Sequence, residues 1–153
     1  MNPPPVGWPR ISSALFYEDA GVAIDWLCRA FGFSVRLKVE GEGGRIEHSE
    51  LELGSDGLVM VGSSGGHKEG RPERRLFVSP RTVGGHNTQS LCVYVDDADA
   101  HCARAREAGA RIVQEPAVHD YGEDYWVDKG YSAQDPEGHI WWFVQRMRGA
   151  GAR

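Results

Sequence analysis

Two segments of this chain follow the same outline, and this internal repeat constrains the fold more than any other feature. Each contains a helical stretch that runs from an aspartate N-cap to a closing glycine, Asp19 to Gly32 in the first and Asp96 to Gly109 in the second. Each continues through alternating segments to an apolar strand, 57–61 in the first and 138–144 in the second. Self-similarity of this kind indicates a duplicated structural unit. The sequence therefore predicts an α+β fold of two βαβββ modules, whose curved mixed sheets surround a cleft and carry helices on their outer faces.

The repeat also predicts the domain organisation. At 153 residues the chain fits one domain (1–153), with module one at about 8–63, a linker loop at 64–88 and module two at about 89–148. A loop as long as this linker is either mobile or a functional cover. Alternating apolar and polar residues predict a half-buried strand at 33–39. Apolar residues at helical spacing, beginning with Val22, predict the buried face of the first helix. Residues 119–129 are predicted to be a polar, aromatic-rich insertion.

Composition excludes several classes of protein. The net charge of −5 argues against a nucleic-acid partner, which requires a basic face. No run approaches the roughly 18 apolar residues of a membrane span, and the start of the chain lacks the pattern of a signal peptide. We therefore expect no membrane association and a cytoplasmic location. The three cysteines show no C-x-x-C spacing, which speaks against a disulfide framework or a zinc site.

Several short motifs in this order resemble the vicinal oxygen chelate superfamily, which includes glyoxalase, extradiol dioxygenases and bleomycin-resistance proteins. The clearest is the turn Asp-Pro-Glu-Gly-His before an apolar strand, and the motifs that carry the resemblance occupy residues 17–19, 30–33, 93–97, 108–110 and 135–139. The resemblance implies the two-module fold predicted above. Because members of the superfamily commonly pair, it also implies a homodimer.

The metal enzymes of this superfamily carry four ligand positions, two in each module. Carried over from the matching motifs, these positions fall on Ser12, Met60, Ser90 and Trp142. None is His, Glu or Asp, and neutral hydroxyl and thioether groups are poor ligands for Zn, Ni, Fe or Mn. The resemblance thus implies that no metal and no cofactor is bound at the usual positions, which we instead expect to contact a ligand.

One polar pair offers a different chemistry. His48 and Glu50 are two residues apart in a predicted strand, so their side chains share a face, and they are expected beside Met60. A histidine and a carboxylate so placed could transfer protons, as catalytic residues, or act as displaced metal ligands. The alternative is that they belong to a solvated polar strand face.

Aromatic residues predict the nature of the ligand. Trp26 and Trp141 are expected in the core, whereas Trp142 alternates with Trp141 and should face the cleft. An aromatic wall suits a flat or amphipathic organic ligand; its candidate members are Tyr121, Trp126, Tyr131 and Trp142. A nearby acidic cluster could attract a cationic ligand or be a solvated loop, and it comprises His119, Asp120, Glu123 and Asp124.

Three functions remain open from the sequence. The leading hypothesis is a metal-independent protein that binds and sequesters a small organic molecule, as bleomycin-resistance proteins do. The alternative is a lyase, isomerase or dioxygenase of the glyoxalase-like superfamily that uses His48 and Glu50. A third is a module that serves another protein through the loop 65–85.

Overall fold

The computed structural model describes residues 1–66 and 70–150, and it divides into two compact units. The first unit comprises Met1–His86, and the second begins at Asn87. Almost all of the predicted linker 64–88 therefore belongs to the first unit. Residues 67–69, which form part of that linker, lie outside the described residues. No helix in the described ranges is long and apolar enough to cross a membrane.

The first unit is a four-stranded sheet with one α-helix. Its sheet has the order β1-β4-β3-β2, with β1 parallel to β4 and the other pairs antiparallel. In chain order the elements are β1 (Ser13–Tyr17), α1 (Ala20–Phe31), β2 (Ser34–Glu40), β3 (Ile46–Leu53) and β4 (Gly57–Ser63).

The second unit repeats this arrangement. Its sheet has the order β5-β8-β7-β6, again with one parallel pair, β5 with β8. The elements are β5 (Leu91–Tyr94), α2 (Ala98–Glu107), β6 (Arg111–Asp120), β7 (Val127–Gln134) and β8 (Ile140–Arg148). Each unit is thus a βαβββ module, which confirms the predicted α+β class.

The two helices begin and end at local signals in the sequence. The Asp19 Oδ1 atom accepts a hydrogen bond of 3.1 Å from the Val22 amide, and Gly32 ends α1 with a φ of 83° that favours glycine. The N-cap of α2 is Asp97, whose Oδ1 atom accepts from the Ala100 amide at 3.0 Å. The prediction of Asp96 as this cap was wrong by one residue.

Each helix packs its buried side chains on one face of its own sheet. The first unit buries Trp26 and Phe31 of α1, along with Leu51 and Val61 of the sheet. In contrast, Val22 is 62% exposed, so its assignment to the buried face of α1 was wrong. It lies outside that face, to which its neighbours Ala20 and Ala23 belong. In the second unit, the small buried residues of α2 allow close packing on Trp141 and Phe143; they are Ala98, Cys102 and Ala105.

The described part of the predicted linker folds onto the first sheet. Two short 3₁₀ helices, Pro72–Leu76 and Pro80–Val83, lie within it. Phe77, which follows the first of these helices, stacks its ring on Phe16 of β1 with centroids 4.5 Å apart. Within that helix, the Arg74 Nη2 atom donates to the Glu47 carbonyl oxygen at 2.7 Å. These contacts make the segment a cover over part of the sheet.

Two further predictions about strands were wrong. The proposed insertion 119–129 is instead a β-hairpin, because β6 extends to Asp120 and β7 begins at Val127. Strand β2, predicted to be half-buried, is exposed at every residue. It lies at the edge of the sheet, and its register against β3 shifts between Val35 and Leu37.

Candidate functional site

The candidate site lies on the open face of the first sheet, the face that points away from the core beneath α1. Glu50 pairs with Met60, and Met60 with Ala14 of β1, so these three side chains share this face. Leu51 pairs with Val59 on the opposite face and is fully buried. His48 is two residues before Glu50 and shares its face, as the alternation predicted.

His48 and Glu50 form a contact pair that a third residue completes. The His48 Nε2 atom lies 3.1 Å from Glu50 Oε1, and the Arg36 Nε atom lies 3.2 Å from Glu50 Oε2. The side chain of Glu50 is only 9% exposed, whereas that of His48 is 39% exposed. A buried carboxylate needs such partners to offset its lost hydration. Glu50 therefore orients an imidazole that remains accessible to a ligand.

Arg36 was not identified from the sequence. It occupies the register shift in β2, which brings it beside Glu50 together with Leu37. The Arg36 Nη1 atom also donates to the Gly7 carbonyl oxygen at 2.5 Å, and its guanidinium carbon lies 5.5 Å from the Trp8 ring centroid. The burial of Glu50 and the register shift that brings Arg36 to it appear only in the structure, so no signal in the sequence indicated this partner.

Ser12 contributes an unsatisfied polar atom to this region. Ser12 directly precedes β1. It is two residues before Ala14, which pairs with Met60, so the side chains of Ser12 and Ala14 lie on the same open face. The Ser12 Oγ atom is buried and has no hydrogen-bond partner among the described residues. Such a group costs free energy unless water or a ligand supplies the missing bond.

Apolar side chains adjoin the polar pair. In the register of β2 with β3, Leu37 lies opposite Glu50 and Val39 opposite His48. Leu37 is 42% exposed and Val39 is 44% exposed. With Met60, they give the open face an apolar surface next to an imidazole and a carboxylate. This combination suits an amphipathic organic molecule.

The donor atoms of this face do not fit a divalent metal ion. At the positions used by the metal enzymes of the superfamily, the first unit presents the Ser12 hydroxyl and the Met60 thioether. His48 and Glu50 supply only two suitable donors, and Glu50 already binds Arg36. Within residues 1–66 and 70–150, no three His, Cys, Asp or Glu side chains are grouped so as to hold a metal.

The second unit has a corresponding open face. Cys92 pairs with Trp142 and Trp142 with Ser132, so these three share a face, and Trp142 is 43% exposed. Ser90 directly precedes β5, the same position relative to its strand that Ser12 has, and is exposed. Partial burial, with a smaller contribution from Asp128, raises the pKa of the Cys92 thiol, which disfavours the nucleophilic thiolate.

Tyr131 lies on the other face of the second sheet. It pairs with Phe143, stacks on that ring with centroids 5.1 Å apart, and is buried. Its hydroxyl oxygen lies 2.6 Å from His101 Nδ1, and burial is the main cause that raises the Tyr131 pKa. Its placement among the ligand-binding residues is corrected accordingly: Tyr131 is a core residue whose hydroxyl contacts His101 of α2.

The remaining predicted aromatic residues gather at the β6–β7 hairpin. The rings of Tyr121 and Tyr125 lie 5.6 Å and 6.0 Å from Trp126. The Arg146 guanidinium lies 5.0 Å from the Trp126 centroid and 5.3 Å from that of Tyr94. Trp126 thus already stacks on a cation of its own chain.

The predicted acidic cluster at this hairpin is largely engaged in the turn itself. Asp120 Oδ1 accepts from the Gly122 amide at 2.9 Å and from Arg148 Nη2 at 3.3 Å. The His119 Nε2 atom lies 3.4 Å from Gln114 Nε2. Glu123 and Asp124 are exposed. The structure therefore gives Asp120 a structural role. His119 pairs with Asp128, which lies on the same face of the second sheet as Ser132 and Trp142.

Comparison with curated proteins finds relatives that are described as uncharacterized. Uncharacterized proteins of Mycobacterium bovis and Mycobacterium tuberculosis are each 29% identical over 143 residues. The aligned region covers 92% of this chain, 85% of the M. bovis protein and 76% of the M. tuberculosis protein.

Solved structures provide a second comparison. TioX from Micromonospora sp. ML1 is 34% identical, with a TM-score of 0.67, and the match covers 91% of this chain and 99% of TioX. A glyoxalase/bleomycin resistance protein/dioxygenase from Nocardioides has a TM-score of 0.64 over 97% of this chain and 91% of its own. At 16% identity, it shows similarity of fold alone.

The family comparison agrees with the duplicated module and with the signature turn before β8. The sequence profile described as Glyoxalase/Bleomycin resistance protein/Dioxygenase superfamily matches residues 10–143, which include all of both sheets except the last residues of β8. Together with the similarity to TioX, this match covers most of the chain. The chain therefore belongs to the glyoxalase/bleomycin resistance protein/dioxygenase superfamily.

Proposed function

We propose that this protein binds and sequesters a small organic molecule on the open face of its first sheet, without a metal ion. The ligand contacts the Ser12 hydroxyl and the Met60 side chain, and His48 supplies a hydrogen bond beside them. In the second unit, the exposed Trp142 is the candidate for stacking on a flat ligand, and Ser90, Tyr121 and Trp126 are secondary candidates.

The observation that carries this proposal is the unsatisfied Ser12 hydroxyl. A buried oxygen without a partner costs about 1–3 kcal/mol, and a bound molecule that reaches the Ser12 hydroxyl would recover that cost. The apolar Leu37, Val39 and Met60 then bury the apolar part of the ligand. Because the described residues of this face offer no set of metal-binding donors, we assign the affinity to shape, stacking and hydrogen bonds.

Ser12→Ala tests the proposal. A thermal-shift screen of flat aromatic and amphipathic compounds first identifies ligands, with Zn²⁺, Ni²⁺, Mn²⁺ and Fe²⁺ as separate additives. The substitution should weaken the best ligand by about threefold to tenfold, the loss of one hydrogen bond, while the free protein becomes equally or more stable. The exposed Ser34→Ala is the matched control and should change neither quantity. A metal ion bound at one per chain, or equal affinity of Ser12→Ala and the original protein, would overturn the proposal.

The geometry of His48 and Glu50 favours one alternative, an enzyme that uses the pair as acid and base. A carboxylate that holds an accessible imidazole at 3.1 Å is a suitable arrangement for proton transfer. His48→Ala separates the two functions. The compounds found in the screen are incubated with each protein, and their conversion is followed by NMR. If the protein is an enzyme, the variant loses turnover; if it sequesters its ligand, the variant loses only part of its affinity.

We also propose that the protein acts as a homodimer in the cytoplasm, with neither nucleic acid nor membrane as a partner. The dimer is proposed because members of the superfamily commonly form dimers. The acidic net charge is the reason to expect no nucleic-acid partner. Sedimentation equilibrium at several concentrations tests the dimer, and a single species of 16.9 kDa would contradict it.

A further inference from the structure

A cavity of about 250 Å³ lies in the first unit, at the end of the sheet where a turn joins β3 to β4. The side chains of Trp8, Arg36, Glu52, Asp56 and Leu58 line it, together with the turn 54–57. Glu52 pairs with Leu58, two residues along the ladder from the pair Glu50–Met60 and on the same face. Ser12 directly precedes Ser13, which pairs with Val59, so Ser12 lies beside Leu58 and the cavity adjoins the Ser12 end of the open face. His48 lies two residues beyond Glu50, farther from the cavity along β3.

The walls of this cavity are held in place by specific contacts. Arg36 fixes the N-terminal arm through the Gly7 carbonyl oxygen at 2.5 Å, and its guanidinium lies over the Trp8 ring. The Trp8 amide donates to the Pro5 carbonyl oxygen at 3.0 Å, which folds the arm into a turn. On the opposite side, Gly57 permits the tight turn, because a Cβ atom there would lie 2.6 Å from the Leu53 carbonyl oxygen.

The charges around the cavity are unbalanced. The positive charge of Arg36 is offset by Glu50, which is 3.2 Å away and nearly buried. Glu52 and Asp56 have no ion-pair or side-chain hydrogen-bond partner among the residues that the structure describes. The two uncompensated carboxylates favour a positively charged guest by direct attraction, and the Trp8 indole beside them offers apolar contact area.

We propose that this cavity is a binding site for a small organic cation, such as an amine attached to one ring. The ammonium group bonds to Glu52 and Asp56, and the apolar part packs on Trp8 and Leu58. The volume lies below the roughly 300–1,000 Å³ of sites for drug-sized ligands and so suits a molecule with a single ring. This site does not depend on the function proposed for Ser12 and His48.

Three matched probes test the charge requirement: 2-phenylethylamine, 2-phenylethanol and phenylacetate, each titrated into the ¹⁵N-labelled protein at pH 7. The amine should shift the Trp8 indole signal and the amides of residues 54–58 saturably. The alcohol should bind more weakly by about tenfold, and the anion should not bind at this site. Shifts at His48 and Val39, which do not line the cavity, would instead report the other proposed site, so the two proposals are scored separately.

Two substitutions of exposed residues test whether the carboxylates bind the amine, and neither should destabilise the fold. Glu52→Gln and Asp56→Asn should each weaken the amine by about threefold to tenfold and leave the alcohol unchanged. Asp124→Asn, an exposed aspartate in the second unit, is the matched control. Trp8→Ala should weaken both the amine and the alcohol. Equal binding of the three probes, no saturable shift by the amine, or amine binding unaffected by both carboxamide variants would overturn the proposal.

Discussion

Asp135 is the residue whose replacement should most damage the second unit. Its Oδ1 atom accepts hydrogen bonds from the amides of Glu137, Gly138 and His139 at 3.0, 3.0 and 3.1 Å. Its Oδ2 atom accepts from the Trp141 indole Nε1 at 3.1 Å. Asp135 is buried, so a single carboxylate organises the turn before β8 and fixes a core tryptophan of that strand. This is the physical content of the Asp-Pro-Glu-Gly-His motif.

The magnitude follows from the donors left without a partner. A hydrogen bond to a charged group contributes about 1.5–3 kcal/mol, so four such bonds set an upper bound of about 6–12 kcal/mol for Asp135→Ala. Water can reach the half-buried Gly138 amide, and the turn can relax, so we expect a loss of about 3–5 kcal/mol in the free energy of unfolding. Asp135→Asn keeps the oxygen that serves three amides and mismatches only the indole. It should cost about 1.5–3 kcal/mol.

Urea unfolding monitored by far-UV circular dichroism measures both values by linear extrapolation. Asp124→Asn, which is exposed, should stay within about 0.5 kcal/mol of the original protein. In a Trp141→Phe background the indole donor is absent, so Asp135→Asn should cost about 1 kcal/mol less than in the original protein. A loss below about 1 kcal/mol for Asp135→Ala, or equal costs of the alanine and asparagine variants, would refute this account of the turn.

Two further predictions test the core and the corrected helix cap. The raised pKa of Tyr131 means that its neutral form is stabilised by folding, so this contribution is complete below the unfolded pKa of 10.0 and is lost as the pH rises above it. The difference in free energy of unfolding between the original protein and Tyr131→Phe, measured in urea, should therefore be constant from pH 7 to 9. Above pH 10 it should fall by at most about 1.4 kcal/mol per pH unit. A difference that stays constant up to pH 11 would contradict this prediction. Asp97→Ala should lower the free energy of unfolding by about 1 kcal/mol because it removes the N-cap of α2, whereas Asp96→Ala should lower it by less than about 0.5 kcal/mol. The reverse order would show that Asp96 is the cap.

Local signals predicted much of the fold. The cap of α1 at Asp19 and its end at Gly32 are encoded by single residues whose side chain or φ angle decides the matter. The shared face of His48 and Glu50 follows from alternation within one strand, which needs no knowledge of neighbouring strands. The error at Asp96 arose because two aspartates are adjacent there, and only the geometry of the Asp97 side chain distinguishes them.

The position of Tyr131 depends on a quantity that the sequence does not contain. Alternation within β8 correctly separates Trp141 from Trp142, but the face of Tyr131 is set by its register against Phe143 on the neighbouring strand. A shift of one residue would have moved Tyr131 to the open face. The predicted insertion hid this register, because the true start of β7 at Val127 fixes the pairing. The contact of Phe77 with Phe16 was likewise non-local and had no signal in the sequence.

The chemistry of the candidate site depends on one irregularity of the backbone. In a regular strand, Arg36 and Leu37 would point to opposite faces, and Glu50 would have either a cation or an apolar neighbour, but not both. The register shift in β2 places both residues beside Glu50. The buried carboxylate thereby gains the guanidinium that it needs, and the open face keeps an apolar side chain next to His48. Because a bulge re-aims side chains without changing residue identity, the polar pair was visible in the sequence and its partner was not.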